Sequence, residues 1–111
     1  MDQASDVVRL DQTADQREIA LRPQQMLEIT LPENPTTGFR WEIRTPGTPM
    51  CADRGSSFDA PSGGGLGTGG ARRFLFEAVQ IGVCQFVLVY RRSWEDKPPA
   101  RTFNLTVRVE R

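Results

Sequence analysis

Three clusters in this 111-residue chain have residue types and spacing suited to chemistry or recognition. The first is Asn34-Pro35-Thr36-Thr37-Gly38-Phe39. Asn34 before a proline initiates a turn, Pro35 fixes φ, Thr36 and Thr37 are stiff at χ1, and Gly38 permits positive φ. Such a segment is suited to recognition by a rigid projecting loop, although its residue types also fit an ordinary tight turn. The second cluster is Gly63-Gly64-Gly65-Leu66-Gly67-Thr68-Gly69-Gly70, which holds six of the ten glycines. Its Gly65-x-Gly67-x-x-Gly70 spacing is formally a dinucleotide fingerprint. That fingerprint needs a helix after it and an acidic residue about 20 positions on. Here Ala71 onward reads as a strand, and no Asp or Glu lies between Glu77 and Glu95. What remains is a loop that another surface can approach closely, or a plain linker. The third cluster is Arg91-Arg92-Ser93-Trp94 in a segment rich in proline and charge. Trp beside Arg is a typical binding anchor; the alternative is a Trp folded back over the end of the domain, with the arginines as a solvated rim.

Catalytic readings find little support. The chain has no histidine, which removes Ser-His-Asp and Cys-His arrangements and the usual zinc ligand sets. An enzyme reading would have to use Asp59, Glu95 or Asp96 as acid or base, and nothing in the sequence pairs them. Cys51 and Cys84 are too few for a four-thiolate metal site, and their spacing leaves open whether they pair; unpaired thiols are the expectation. No cofactor and no metal is therefore expected, and the chain is not expected to be an enzyme.

Fourteen basic residues balance fourteen acidic ones, so no overall field draws the protein to nucleic acid or an anionic membrane. The length fits a single domain over 1–111, expected as a monomer. The first residues, Met1-Asp2-Gln3-Ala4-Ser5-Asp6, do not read as a signal peptide. The location expected is the cytoplasm if the sequence is complete, and the periplasm or the exterior if a signal has been removed.

The elements that must position these clusters follow from alternation with a period of two. Phe103, Leu105, Val107 and Val109 fall on one side of a strand at 102–110, against Thr102, Asn104, Thr106, Arg108 and Glu110. The same pattern predicts strands at 26–31, 39–44 and 72–79. Residues 83–90 are apolar on both faces except for Gln85, as a central strand would be. A weaker pair lies at 7–10 and 18–21, and a weak strand is expected near 56–59. The fold class predicted is all-β, an immunoglobulin-like antiparallel sandwich of seven to eight strands, with a small barrel as second choice. Chain reversal at each connection then places the loops 32–38, 60–70 and 91–101 at one pole.

Together the three loops resemble the chagasin-like inhibitors of papain-like cysteine proteases. That family carries an Asn-Pro-Thr-Thr-Gly-aromatic loop, a Gly-x-Gly-Gly loop and an Arg-Pro-Trp/Phe loop, in that order. The matching residues are Asn34-Pro35-Thr36-Thr37-Gly38-Phe39, Gly67-Thr68-Gly69-Gly70 and Arg92-Ser93-Trp94, with Ser93 standing where the family usually has proline. The resemblance implies reversible, tight, competitive inhibition. In that scheme the 34–39 loop enters the protease cleft with Thr36 and Thr37 nearest the nucleophile, and the 63–70 and 91–101 loops grip either side. The alternative is an adhesion or carbohydrate-binding sandwich using the same pole, with Trp94 as a stacking platform.

Overall fold

A computed structural model describes residues 7–60 and 69–111 of the chain. These residues form eight strands: β1 (Val7–Leu10), β2 (Arg17–Leu21), β3 (Met26–Glu33), β4 (Arg40–Pro46), β5 (Cys51–Asp59), β6 (Gly70–Ala78), β7 (Gly82–Arg91) and β8 (Arg101–Val109). They make two four-stranded sheets, ordered β1-β3-β6-β5 and β2-β8-β7-β4. The expected β-sandwich is therefore the one observed.

Alternation builds the core. Leu27, Ile29 and Leu31 of β3 are fully buried, as are Phe76 of β6, Phe86 of β7 and Leu105 and Val107 of β8. The Phe76 and Phe86 rings meet between the sheets with centroids 4.5 Å apart. Each buried side chain of this size contributes about 1.5–3 kcal/mol relative to exposure. Packing of this extent holds the two layers together and leaves the loops free of that task.

Two features depart from a purely antiparallel sandwich. β1 pairs with β3 in parallel, Val7 opposite Met26, and β2 pairs with β8 in parallel, Arg17 opposite Leu105. The short link between β1 and β2 carries the chain from one sheet to the other. Asp11 caps a single 3₁₀ turn there, Gln12–Ala14, by accepting from the Thr13 amide at 2.9 Å. The Asp15 carboxylate then accepts the Asn104 amide at 2.8 Å, docking the link onto β8.

The strand expected weakly at 56–59 is a nine-residue strand, β5, at the edge of its sheet. Its central residues are exposed on both sides, so no apolar alternation marks it. A bulge between Asp53 and Ser56, with Gly55 at φ +110°, breaks the period further. β3 runs two residues past the expected end, through Pro32 to Glu33. Pro32 is tolerated because β1 pairs only with Met26 to Ile29, leaving β3 with a free edge at that point.

Candidate functional site

The loop from β3 to β4 is built by its own side chains. Asn34 Oδ1 accepts from the Thr36 amide at 3.1 Å and the Thr36 hydroxyl at 2.7 Å, capping a 3₁₀ turn over Pro35–Thr37. The Asn34 carbonyl accepts from the Thr37 amide at 3.2 Å and the Thr37 hydroxyl at 2.7 Å. Gly38, at φ +81°, closes the turn by donating to the Pro35 carbonyl at 3.1 Å. The residue types that pointed to a rigid projection thus each have a partner inside it. Pro35, Thr36 and Thr37 remain exposed at its tip.

Beneath the tip, an aromatic column ties the loop to the core. Phe39 stacks on Tyr90 with centroids 5.3 Å apart, and Tyr90 stacks on Trp41 at 5.0 Å. The Tyr90 hydroxyl also accepts the Asn34 amide at 3.1 Å. Trp41 is buried, as its place on the apolar side of β4 predicts, and its indole N–H donates to the Pro32 carbonyl at 2.8 Å.

Glu33 forms the root of the loop. It continues the inward series of Leu27, Ile29 and Leu31, and it is 2% exposed. Its Oε1 accepts the Trp41 amide at 2.9 Å, and its Oε2 accepts from Arg72 Nη2 at 2.8 Å. A buried carboxylate needs such full satisfaction to be tolerated. Here the satisfaction bridges β3 and β4, the strands on either side of the loop, and β6, which pairs with β3.

The loop between β7 and β8 leans on this structure. Arg92 Nε donates to the Thr37 carbonyl at 2.9 Å, and the guanidinium sits 4.4 Å from the Phe39 ring centroid. Arg92 Nη1 also pairs with Glu95 at 3.2 Å, and Arg91 holds the Glu95 carbonyl at 3.0 Å. Trp94 is 70% exposed, yet its ring lies over Gly38, where any Cβ would overlap it. Trp94 therefore rests on the neighbouring loop and still presents most of its surface.

From the glycine run, residues 63–68, Gly67 and Thr68 among them, lie outside the described residues. Gly69 lies against the root of the first loop, where a Cβ would sit 3.6 Å from the Asn34 Cβ. Gly70 opens β6 opposite Glu33, and a Cβ there would overlap the Asp59 carbonyl. Glycine at 70 is thus required by strand packing.

The geometry brings Asn34, Gly38, Gly69, Arg92 and Trp94 to one end of the sandwich. Tyr90 and Glu33 were not among the residues that sequence reasoning selected. Glu33 was legible as the next inward position after Leu31, and Tyr90 had no signal beyond its place in a strand.

The comparisons with known proteins decide the family. Residues 20–107 match the model of the chagasin family peptidase inhibitors, I42. The chain belongs to the chagasin family. Amoebiasin-1 of Entamoeba histolytica is 37% identical over 84 residues, covering 75% of this chain and 80% of that protein. The solution structure of Amebosin superposes with a TM-score of 0.73 and 30% identity, covering 93% of this chain and 98% of the other. The crystal structure of EhICP2, a cysteine protease inhibitor from Entamoeba histolytica, shares the fold with a TM-score of 0.85 at 24% identity, over 94% and 96% of the two chains. As a member of this inhibitor family the protein is not an enzyme. The family's expected proline in the third loop is Ser93 here.

Proposed function

We propose that this protein, acting as a monomer, is a competitive, reversible, tight-binding inhibitor of papain-like cysteine proteases. The 34–39 loop enters the active-site cleft with Thr36 and Thr37 nearest the catalytic thiol. The 63–70 and 91–101 loops flank it, with Trp94 packing against the protease surface.

One observation carries the reading: the carbonyls of Asn34, Pro35 and Thr37 are all occupied by donors of the same chain. A protease cuts a peptide whose carbonyl reaches near-attack geometry opposite the thiolate. A compact turn closed by these bonds can fill the cleft without relaxing into that geometry. Such a loop also loses little conformational freedom on docking, so more of the contact energy appears as affinity. Trp94 adds a large exposed aromatic surface of the kind that dominates protein–protein binding energy.

The test is titration of papain and cathepsin-type enzymes with the protein. The expected outcome is stoichiometric loss of activity that competes with substrate and recovers on dilution, with the inhibitor recovered uncut. Full protease activity at micromolar protein would overturn the proposal.

A further inference from the structure

Cys51 opens β5 in one sheet, and Cys84 is the third residue of β7 in the other. Both are buried, at 1% and 7% exposure, and their Sγ atoms lie 3.9 Å apart. They are the two cysteines of the chain. They occupy the end of the sandwich away from the Asn34–Phe39 loop: the Cys51 amide donates to Gly47 of the β4–β5 connection at 3.0 Å, and Cys84 lies just after the β6–β7 turn. A disulfide bond requires sulfurs about 2.04 Å apart. At 3.9 Å the two sulfurs are already in contact across the sheets, and closure needs them to approach by a further ~1.9 Å.

We propose that Cys51 and Cys84 form a redox-closable staple, an intramolecular disulfide that joins the two sheets in an oxidising environment and opens to a thiol pair under reduction. The oxidant is an external disulfide such as oxidised glutathione. The Cys84 thiolate, the less buried of the two, attacks one sulfur of that disulfide and expels a glutathione thiolate. Cys51, after losing its proton, attacks the Cys84 sulfur of the mixed disulfide and expels the second glutathione. The protein loses two protons and two electrons and gains one S–S bond, while the oxidant's S–S bond is reduced to two thiols.

Burial, and then the neighbouring thiol, push Cys51 up to about 12, and burial raises Cys84 as well. Few thiolates exist near neutral pH, so closure in the folded protein is slow. The pair therefore acts as a lasting lock. The bond would close a loop of 33 positions, which removes freedom chiefly from the unfolded chain. This inference does not depend on the inhibitory reading.

The experiment refolds the full chain from guanidinium in an oxidising glutathione buffer or in dithiothreitol, then alkylates it under denaturing conditions for intact-mass analysis. Refolding gives both thiols access to the oxidant. The oxidised chain is expected to be monomeric, to take up no alkyl group, and to show a Tm raised by on the order of 10 °C, reversed by dithiothreitol. Cys51→Ala and Cys84→Ala should each show the same Tm under both conditions. Two alkyl groups after oxidative refolding, only mixed disulfides with glutathione, only disulfide-linked dimers, or an intramolecular bond that fails to raise Tm would each overturn the proposal.

Discussion

Arg92 and Thr37 are joined across 55 positions of sequence by a single hydrogen bond, from Arg92 Nε to the Thr37 carbonyl at 2.9 Å. The same guanidinium covers the Phe39 ring, so one side chain fixes both the tip and the far end of the first loop. By this geometry Arg92 shapes the presenting surface from within, in addition to any contact it makes with a partner.

Arg92→Lys keeps the charge and removes the planar donor that matches this position. A hydrogen bond from a charged group is worth about 1.5–3 kcal/mol. Because the bond is internal to the folded chain, Tm should fall by a few degrees, and inhibition of papain should weaken as the first loop loses its brace, read from inhibition constants and thermal melts side by side.

Gly38→Val meets two obstacles at once. The left-handed backbone costs a branched residue about 1–2 kcal/mol, and the new side chain would displace Trp94. Tm should fall, and the inhibition constant should rise by more than the stability loss accounts for, because two loops are disturbed together.

Trp94→Ala separates binding from folding. The side chain is largely exposed, so Tm should change little. Loss of an anchor of this kind costs on the order of 2 kcal/mol in affinity, visible as a faster dissociation rate in surface-binding measurements. An unchanged rate would remove Trp94 from the interface.

Ser93→Pro tests the departure from the family pattern. The Glu95 amide donates to the Arg92 carbonyl at 3.2 Å, which makes Ser93 the second residue of a four-residue turn, where proline is favoured. Stability should rise by about 0.4–1 kcal/mol, and inhibition should be equal or tighter. Weaker inhibition would mean that the loop depends on a backbone shape proline does not allow.

Glu33→Ala removes one partner of a buried ion pair and leaves Arg72 and the Trp41 amide without their acceptor. The expected loss is about 3–5 kcal/mol, measured by denaturant unfolding. Glu33→Gln retains an acceptor for the Trp41 amide and should lose less.

Where a strand buries one side, its sequence announced it: Leu27, Ile29 and Leu31, or Phe103 through Val109, carry an unambiguous period of two. β5 was faint because an exposed edge strand interrupted by a bulge has no side that must be apolar. The parallel pairing of β1 with β3 and of β2 with β8 was hidden for a different reason, since alternation reports which side is buried and says nothing about strand direction. In the site, Asn34 through Gly38 were legible because local turn chemistry determines them. Tyr90 and the bracing role of Arg92 were not, because both arise from contacts between residues more than 50 positions apart.

The first two strands have a consequence for how the molecule behaves in a crowded solution. By crossing from one layer to the other and pairing alongside β3 and β8, this N-terminal strap hides two backbone rims that would otherwise recruit foreign chains into ladder bonding. It acts as a selvedge: the outer margins left on those two sides belong to strands of only four and five residues, too short to offer neighbouring molecules much to knit onto.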